Sequence, residues 1–251
     1  PPPLYIRDSY GMSVFERNGW YFGLLEYWQN STDLLQTHLV LSRDGKTWRH
    51  ISPRTPFIAP THDWHRGWLN CASNAPIIID DVMVFHIGGK WMSHHYDQAQ
   101  KLTGIGYASL PIDRFCAIEG EHNGRLVTPP IEWPGGELLL NADTRGGTYS
   151  GHPGICRGAI AVGLFDADGK PLAGWSEKDQ AKFIRNTHSW GGIDEQKVQW
   201  PEEKQMNELK GKTIRLAFTF NYARLFTITA QGENQPSWQA VGHRRGDVTV
   251  Q

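Results

Sequence analysis

The stretch Thr37–Ile51, THLVLSRDGKTWRHI, decides how the first half of the chain is read. Leu39, Leu41 and Trp48 are apolar positions on either side of Asp44-Gly45, which supplies the φ > 0 residues that a tight hairpin needs. The segment therefore predicts two antiparallel strands and a turn. Upstream, Tyr10–Phe15 and Trp20–Trp28 flank Arg17-Asn18-Gly19, a second hairpin, so that four strands follow one another as a meander. A similar order returns downstream: Ala75–Ile79, a turn at Asp80-Asp81, Val82–Ile87, Gly104–Leu110 and a last strand near Phe115–Ile118.

The second strands of the two meanders, GWYFGLLEYW and DVMVFHIGGK, each follow a polar turn, and the third strands, THLVLSRDG and TGIGYASLPID, each end in Ser and then Asp. Their offset of roughly sixty residues lies in the range of blade repeats. Two four-stranded meanders are what two propeller blades look like in sequence. A β-sandwich of hairpins has the same period, and periodicity leaves both open.

Composition narrows the function classes. The chain has 251 residues, a formal net charge of -1 and 20% charged residues, which is no electrostatic footprint for nucleic acid and no polybasic membrane patch. Its 27 glycines and 11 tryptophans suit short strands, tight turns and large flat side chains. Cys71, Cys116 and Cys156 are too few for a disulfide framework and lack zinc-type spacing, which leaves room for one disulfide and a free thiol. No stretch approaches membrane-span length. The opening Pro1-Pro2-Pro3 has no basic or apolar leader and reads as a processed, trimmed or incomplete end, with a secreted or periplasmic location expected.

From about Glu119 the texture changes. GRLVTPPIEWPGGELLLNADTRGG sets paired prolines and glycines around a short apolar strand, and AIAVGLFDADGKPLAGWS reads as strand, Asp168-Gly169 turn, strand. In KTIRLAFTFNYARLFTITA, Ile214, Leu216, Phe218 and Phe220 alternate inward, a turn is expected at Asn221, and Leu225, Phe226 and Ile228 return. Ser176–Lys182 has the start of a short helical turn. The expected organisation is all-β: partial propeller blades over residues 1–118, an antiparallel β-sandwich over 119–232 and a polar tail over 233–251.

YGMSVFERNGWYFGLLEYW, LSRDGKTWRHISPRTPFI, DWHRGWLN, VFHIGG, GGELLLNAD, LFDADGKPLAGWS and GKTIRLAFTFNYARLFTI together resemble the C-terminal part of bacterial five-bladed β-propeller glycoside hydrolase-like proteins. These are akin to the invertase, levansucrase and arabinanase clan and carry a β-sandwich behind the propeller. The resemblance spans most of Tyr5–Ala230. It implies a glycosidase acting on a poly- or oligosaccharide through carboxylates, without a cofactor. It also gives SRDGKTW a structural role as a blade hairpin, one residue short of the sialidase Asp-box, with Asp44 bonding the turn and Trp48 packed beneath. Only two of five blades are visible, so either the earlier blades are missing from this sequence or a partner chain, as in a homo-oligomer, completes the open blade edges.

Arg7-Asp8 resembles the Arg-Asp pair that carries the clan's transition-state-stabilising aspartate, although Ser9 stands where proline usually follows. Glu26 alternates with Leu24 and Trp28, and a carboxyl group against apolar walls is suited to a general acid. These two are the candidate catalytic residues. THDWHRGW supplies His62, Asp63, His65 and Arg66, SHHYD supplies His94, His95, Tyr96 and Asp97, and Trp64 and Trp68 are candidate stacking platforms. Arg7, Asp63, Trp64, His65, Arg66, Trp68, His94, His95 and Tyr96 form the expected carbohydrate-binding set. The histidines do not share helical spacing and no fourth ligand is indicated, so no metal is expected. Gly-x-Ser-x-Gly, phosphate-loop and dinucleotide contexts are absent. A non-catalytic carbohydrate-binding or assembly module is the rival reading, and a lyase using His94, His95 or Tyr96 as base is a third.

Overall fold

The structure, a computed structural model, describes residues 7–51, 55–93, 95, 103–144, 158–175, 181–183, 196–200 and 204–231. These form β-strands joined by turns, with short 3-10 turns at Asp63–His65 and Met206–Leu209 and no α-helix. The protein is all-β. The chain divides into two compact units, with the break between Ile112 and Asp113.

In the first unit, β1 (Arg7–Arg17), β2 (Trp20–Gln29), β3 (Leu34–Ser42) and β4 (Arg49–His50) run as an antiparallel meander. The β1–β2 loop is Asn18-Gly19, with φ of 53° and 75°, the backbone that a two-residue hairpin with right-twisted strands requires. In the second half, β5 (Trp68–Cys71) and β6 (Ile77–Ile79) pair with successive parts of β7 (Val82–Lys90), as one interrupted strand. β8 (Thr103–Pro111) takes the other side of β7. A single parallel bridge, Leu35↔Trp68, joins the two halves into one mixed sheet.

The halves fold face to face. Phe15 on β1 stacks on Phe22 at 5.3 Å and reaches Phe85 on β7 at 6.4 Å, although β2, β3 and β5 lie between those strands in the sheet. Leu24, Leu35, Leu69, Met83 and Ile87 fill the same interior and are buried. Each such side chain contributes about 1.5–3 kcal/mol of apolar burial.

The Thr37–Ile51 hairpin forms, with a different division of labour at its turn. Gly45 alone adopts positive φ, at 68°, and Asp44 acts through its carboxylate. Asp44 Oδ1 accepts from the backbone N–H of Lys46 at 2.9 Å and of Thr47 at 2.7 Å, and Trp48 Nε1 donates to the Gly45 carbonyl at 3.2 Å. The strand expected near Phe115–Ile118 does not join this sheet. Ile118 instead opens β9 (Ile118–Val127), which pairs in the second unit.

The second unit is an antiparallel sheet built around β15 (Thr213–Gln231), which is 19 residues long. On one side of β15 lie β12 (Ala159–Asp166) and then β11 (Glu137–Asp143), while β9 spans Ala217–Leu225 on the other. β10 (Ile131–Glu132) pairs with the start of β15, β13 (Ala181–Phe183) with β12, and β14 (Gln196–Lys197) with β11. Ile214, Leu216, Phe218 and Phe220 point inward as their alternation predicts, against Leu138, Leu140, Ile160, Val162, Leu164, Trp175 and Trp200.

The expected turn at Asn221 is a bend within one strand. Tyr222 takes φ of 44°, and pairing with β9 resumes through Ala223↔Gly120. Leu225 is buried, whereas Ile228 faces outward at 39% exposure. The strand expected after Asp168-Gly169 reduces to a single bridge, Phe165↔Pro171. Of the expected helical turn, residues 176–180 lie outside the described residues, and Ala181 and Lys182 are strand. The expected tail, 233–251, also lies outside the described residues.

Candidate functional site

Register brings the candidate residues to one end of the first unit. Arg7 pairs with Gln29, Gln29 with Leu34, Leu35 with Trp68, and Trp68 with Lys90, which in turn pairs with Thr103. Strands β1, β3, β5 and β8 therefore begin where β2 and β7 end. The loops at this end carry Asp33, the Asp63–His65 turn and the residues Met92, Ser93 and His95.

Asp8 is exposed and lies directly across from Trp28. Glu26, two residues before Trp28, projects from the same face of β2 and is half-buried. The two carboxylates are thus diagonal neighbours across β1 and β2. The register of this pair slips between Ser9 and Met12, a β-bulge opposite Glu26. A Cβ on Gly11 in the bulge would stand 3.1 Å from Glu26 Oε2, so glycine leaves the carboxylate its room. Glu26 Oε1 accepts a hydrogen bond from Asn70 Nδ2 at 3.2 Å. Beside it, burial, with the Glu26 charge adding, pushes the Cys71 thiol up to about 12 despite a contact with the Thr37 hydroxyl. Cys71 therefore stays a protonated thiol; it and Cys116 are both free.

Asp33 is the organising carboxylate of the end loops. Its Oδ1 lies 2.6 Å from His95 Nδ1 and accepts from Trp28 Nε1 at 3.0 Å, and its Oδ2 accepts the His95 backbone N–H at 2.9 Å. Burial acts to raise its pKa, but the hydrogen bonds from His95, Ser93 and Trp28 outweigh that and hold the carboxyl well below the usual range. The His95 and Tyr10 rings both meet Trp28, at 5.3 Å and 5.7 Å.

The DWHRGW segment is arranged otherwise than expected. Trp64 lies on glycines: a Cβ on Gly104 would come within 2.7 Å of its ring, so this face is occupied by sheet backbone. Trp68 carries the Lys90 ammonium 4.0 Å above its ring. His65 is fully buried and does not line an accessible surface; neither ring nitrogen meets a partner among the described residues. Burial, with the neighbouring His62 adding, lowers its pKa. Asp63 and Arg66 are exposed. Arg7 opens β1, while His94, Tyr96 and Asp97 lie outside the described residues.

Sequence reasoning named Asp8, Glu26 and His95 and missed Asp33 and Asn70. Asp33 ends the turn-forming run Asn30-Ser31-Thr32-Asp33, a signal for a β2–β3 loop but not for a carboxylate that reaches a residue 62 positions onward. Among the described residues no group of three or more His, Cys, Asp or Glu side chains is placed to hold a metal ion. Among them, too, no helix is long and apolar enough to cross a membrane. Comparison of the chain with protein-family models and with curated proteins returns no match.

Proposed function

We propose that the chain is a carbohydrate-active protein of the glycosidase type, with the first unit a pair of propeller blades and the second a β-sandwich. The observation that carries the reading is the placement of Asp8 and Glu26 on one sheet face around Trp28. Diagonal neighbours across an antiparallel pair have backbones ~7–8 Å apart. That suits carboxyl groups flanking a glycosidic bond at roughly 5–9.5 Å. In this reading Glu26 gives its proton to the leaving glycosidic oxygen as the bond from the anomeric carbon breaks. Asp8 draws a proton from the water whose oxygen forms the new bond to that carbon, so that each product carries a hydroxyl and the two carboxyl groups end with their protonation exchanged. Asn70 holds Glu26 in place.

The face-to-face meanders and the Asp44 turn support the blade assignment, and a second copy of the chain covering exposed sheet faces completes the proposal. A screen for reducing-end release from inulin, levan, linear arabinan and xylan tests the reaction. Hydrolysis that falls by about 10²–10⁴ in Glu26→Gln supports the acid role. Hydrolysis unaffected by both Glu26→Gln and Asp8→Asn overturns it. Binding without hydrolysis selects the binding-module reading, and an unsaturated product absorbing in the ultraviolet selects a lyase.

A further inference from the structure

We propose that Asp33 is a positioning residue that holds His95 and Trp28 as one sugar-contacting unit beside the carboxylate pair. The inference rests on the carbohydrate reading of this end of the sheet. Ionised Asp33 can only accept hydrogen bonds, so the 2.6 Å contact to His95 Nδ1 places a proton on that nitrogen. In the neutral ring the basic lone pair then lies on Nε2. The imidazole is 61% exposed, so the ring orientation fixed by Asp33 is presented to solvent rather than locked in a core. The same Oδ1 fixes the Trp28 indole through Nε1 at 3.0 Å, and Asp8 is directly across the sheet from that tryptophan.

One carboxylate thus sets the angle between an apolar ring and a nitrogen acceptor. That pairing suits a neutral sugar, whose C–H face packs on an indole while a ring hydroxyl donates to imidazole. Asp33 also occupies a costly backbone position, φ of 54°, where a residue other than glycine is uncommon and asparagine is tolerated. Asp33→Asn therefore keeps the turn while removing the charge and one acceptor oxygen.

The test has two readouts on the full chain. Long-range ¹H–¹⁵N spectra of the wild type are expected to show His95 with the proton on Nδ1, and Asp33→Asn to shift that ring toward the other tautomer. Affinity for inulin, levan, linear arabinan and xylan, followed by tryptophan fluorescence, is expected to fall about tenfold or more in Asp33→Asn. His95→Ala is expected to lose a similar factor, with the double variant losing less than the product of the two. An Nδ1-protonated ring that is indifferent to Asp33→Asn overturns the positioning role. A tautomer change with unaltered affinity, or no binding to any of the four glycans, overturns the sugar contact. Asp33-dependent binding in a chain that hydrolyses nothing sustains this proposal and removes the hydrolase reading, so the two fail separately. A thermal melt of Asp33→Asn, with His95→Ala as the variant that leaves the β2–β3 turn untouched, separates loss of binding from loss of fold.

Discussion

The two units use the same strand chemistry and depart to different degrees from an apolar interior under a polar surface. Among the described residues, the second unit encloses one continuous apolar cluster, with Leu138, Leu140, Ile160, Leu164 and Phe218 wholly inaccessible. Its exceptions are Asn141 and Thr144 inside and Ile118, Val127 and Ile228 outside, whereas the first unit buries Thr37, His38, Ser42, His65 and Asp81 and leaves Ile77, Ile79, Ile105 and Tyr107 among a larger exposed apolar set. Polar groups inside and apolar groups outside are costs that a purely structural sheet does not carry. Such departures concentrate at functional or interacting surfaces, which is consistent with the proposal that the chemistry lies in the first unit and the scaffold in the second.

The largest effect expected from this contrast is in the second unit. Phe218→Ala removes an inaccessible ring from the centre of its cluster and is expected to cost about 3–5 kcal/mol in urea unfolding. A loss under about 1 kcal/mol means that the cluster is looser than its burial indicates, and the contrast fails.

His65 supplies the next. A fully buried imidazole with no hydrogen-bond partner among the described residues is held neutral by its burial, with its folded pKa below the ordinary ~6.5. Protonation is then easier in the unfolded chain, so the unfolded state binds more protons as pH falls through ~6.5. The first unit is expected to lose stability below that pH and to gain none above it. His65→Leu, which fills the site without an unsatisfied nitrogen, is expected to be near neutral or stabilising at pH 7 and to flatten the acid slope. An unchanged slope places the proton uptake elsewhere.

What was legible in the sequence follows the range of the interactions. Asn18-Gly19, Asp80-Asp81 and the Ser42–Thr47 turn are set by neighbours within a few residues, and each forms where the local chemistry puts it. The inward alternation of Ile214–Phe220 was legible for the same reason. The bend at Tyr222 was not, because it exists only where β15 exchanges β12 for β11 while keeping β9. Gly120 shares in this, since a Cβ there would come within 2.4 Å of Phe220. The site divides the same way. Glu26 was visible in the alternation of its own strand, but its partner Asn70 lies 44 positions away in sequence, and the contact between Asp33 and His95 spans 62.

A smaller effect is expected at the opening hairpin. The N–H groups of Thr47 and Lys46, with the Ser42 hydroxyl, lower the Asp44 pKa to about 2. A carboxylate with a depressed folded pKa contributes above its unfolded value of ~3.9, and the contribution disappears as pH falls toward 2. Asp44→Asn is therefore expected to lower the melting midpoint at pH 7 and to match the wild type near pH 2. A difference that persists in acid assigns the effect to the shape of the turn instead of the charge.

The smallest effect on the fold, and the sharpest on the comparison, is expected at Ile105, which is 90% exposed on the face it shares with Tyr107, Ile77 and Ile79. A lone surface substitution moves stability by no more than about 0.5 kcal/mol, so Ile105→Lys is expected to leave the melting midpoint of an isolated chain unchanged. If a second copy covers this face, as proposed, light scattering will give a multiple of the 28.4 kDa chain for the wild type and the single-chain mass for Ile105→Lys. A wild-type chain of single mass removes the second copy from the proposal. It also changes the meaning of the contrast between the units: the exposed isoleucines would then be a cost of the first unit with no partner to offset it, and the buried polar groups alone would mark that unit as the functional one.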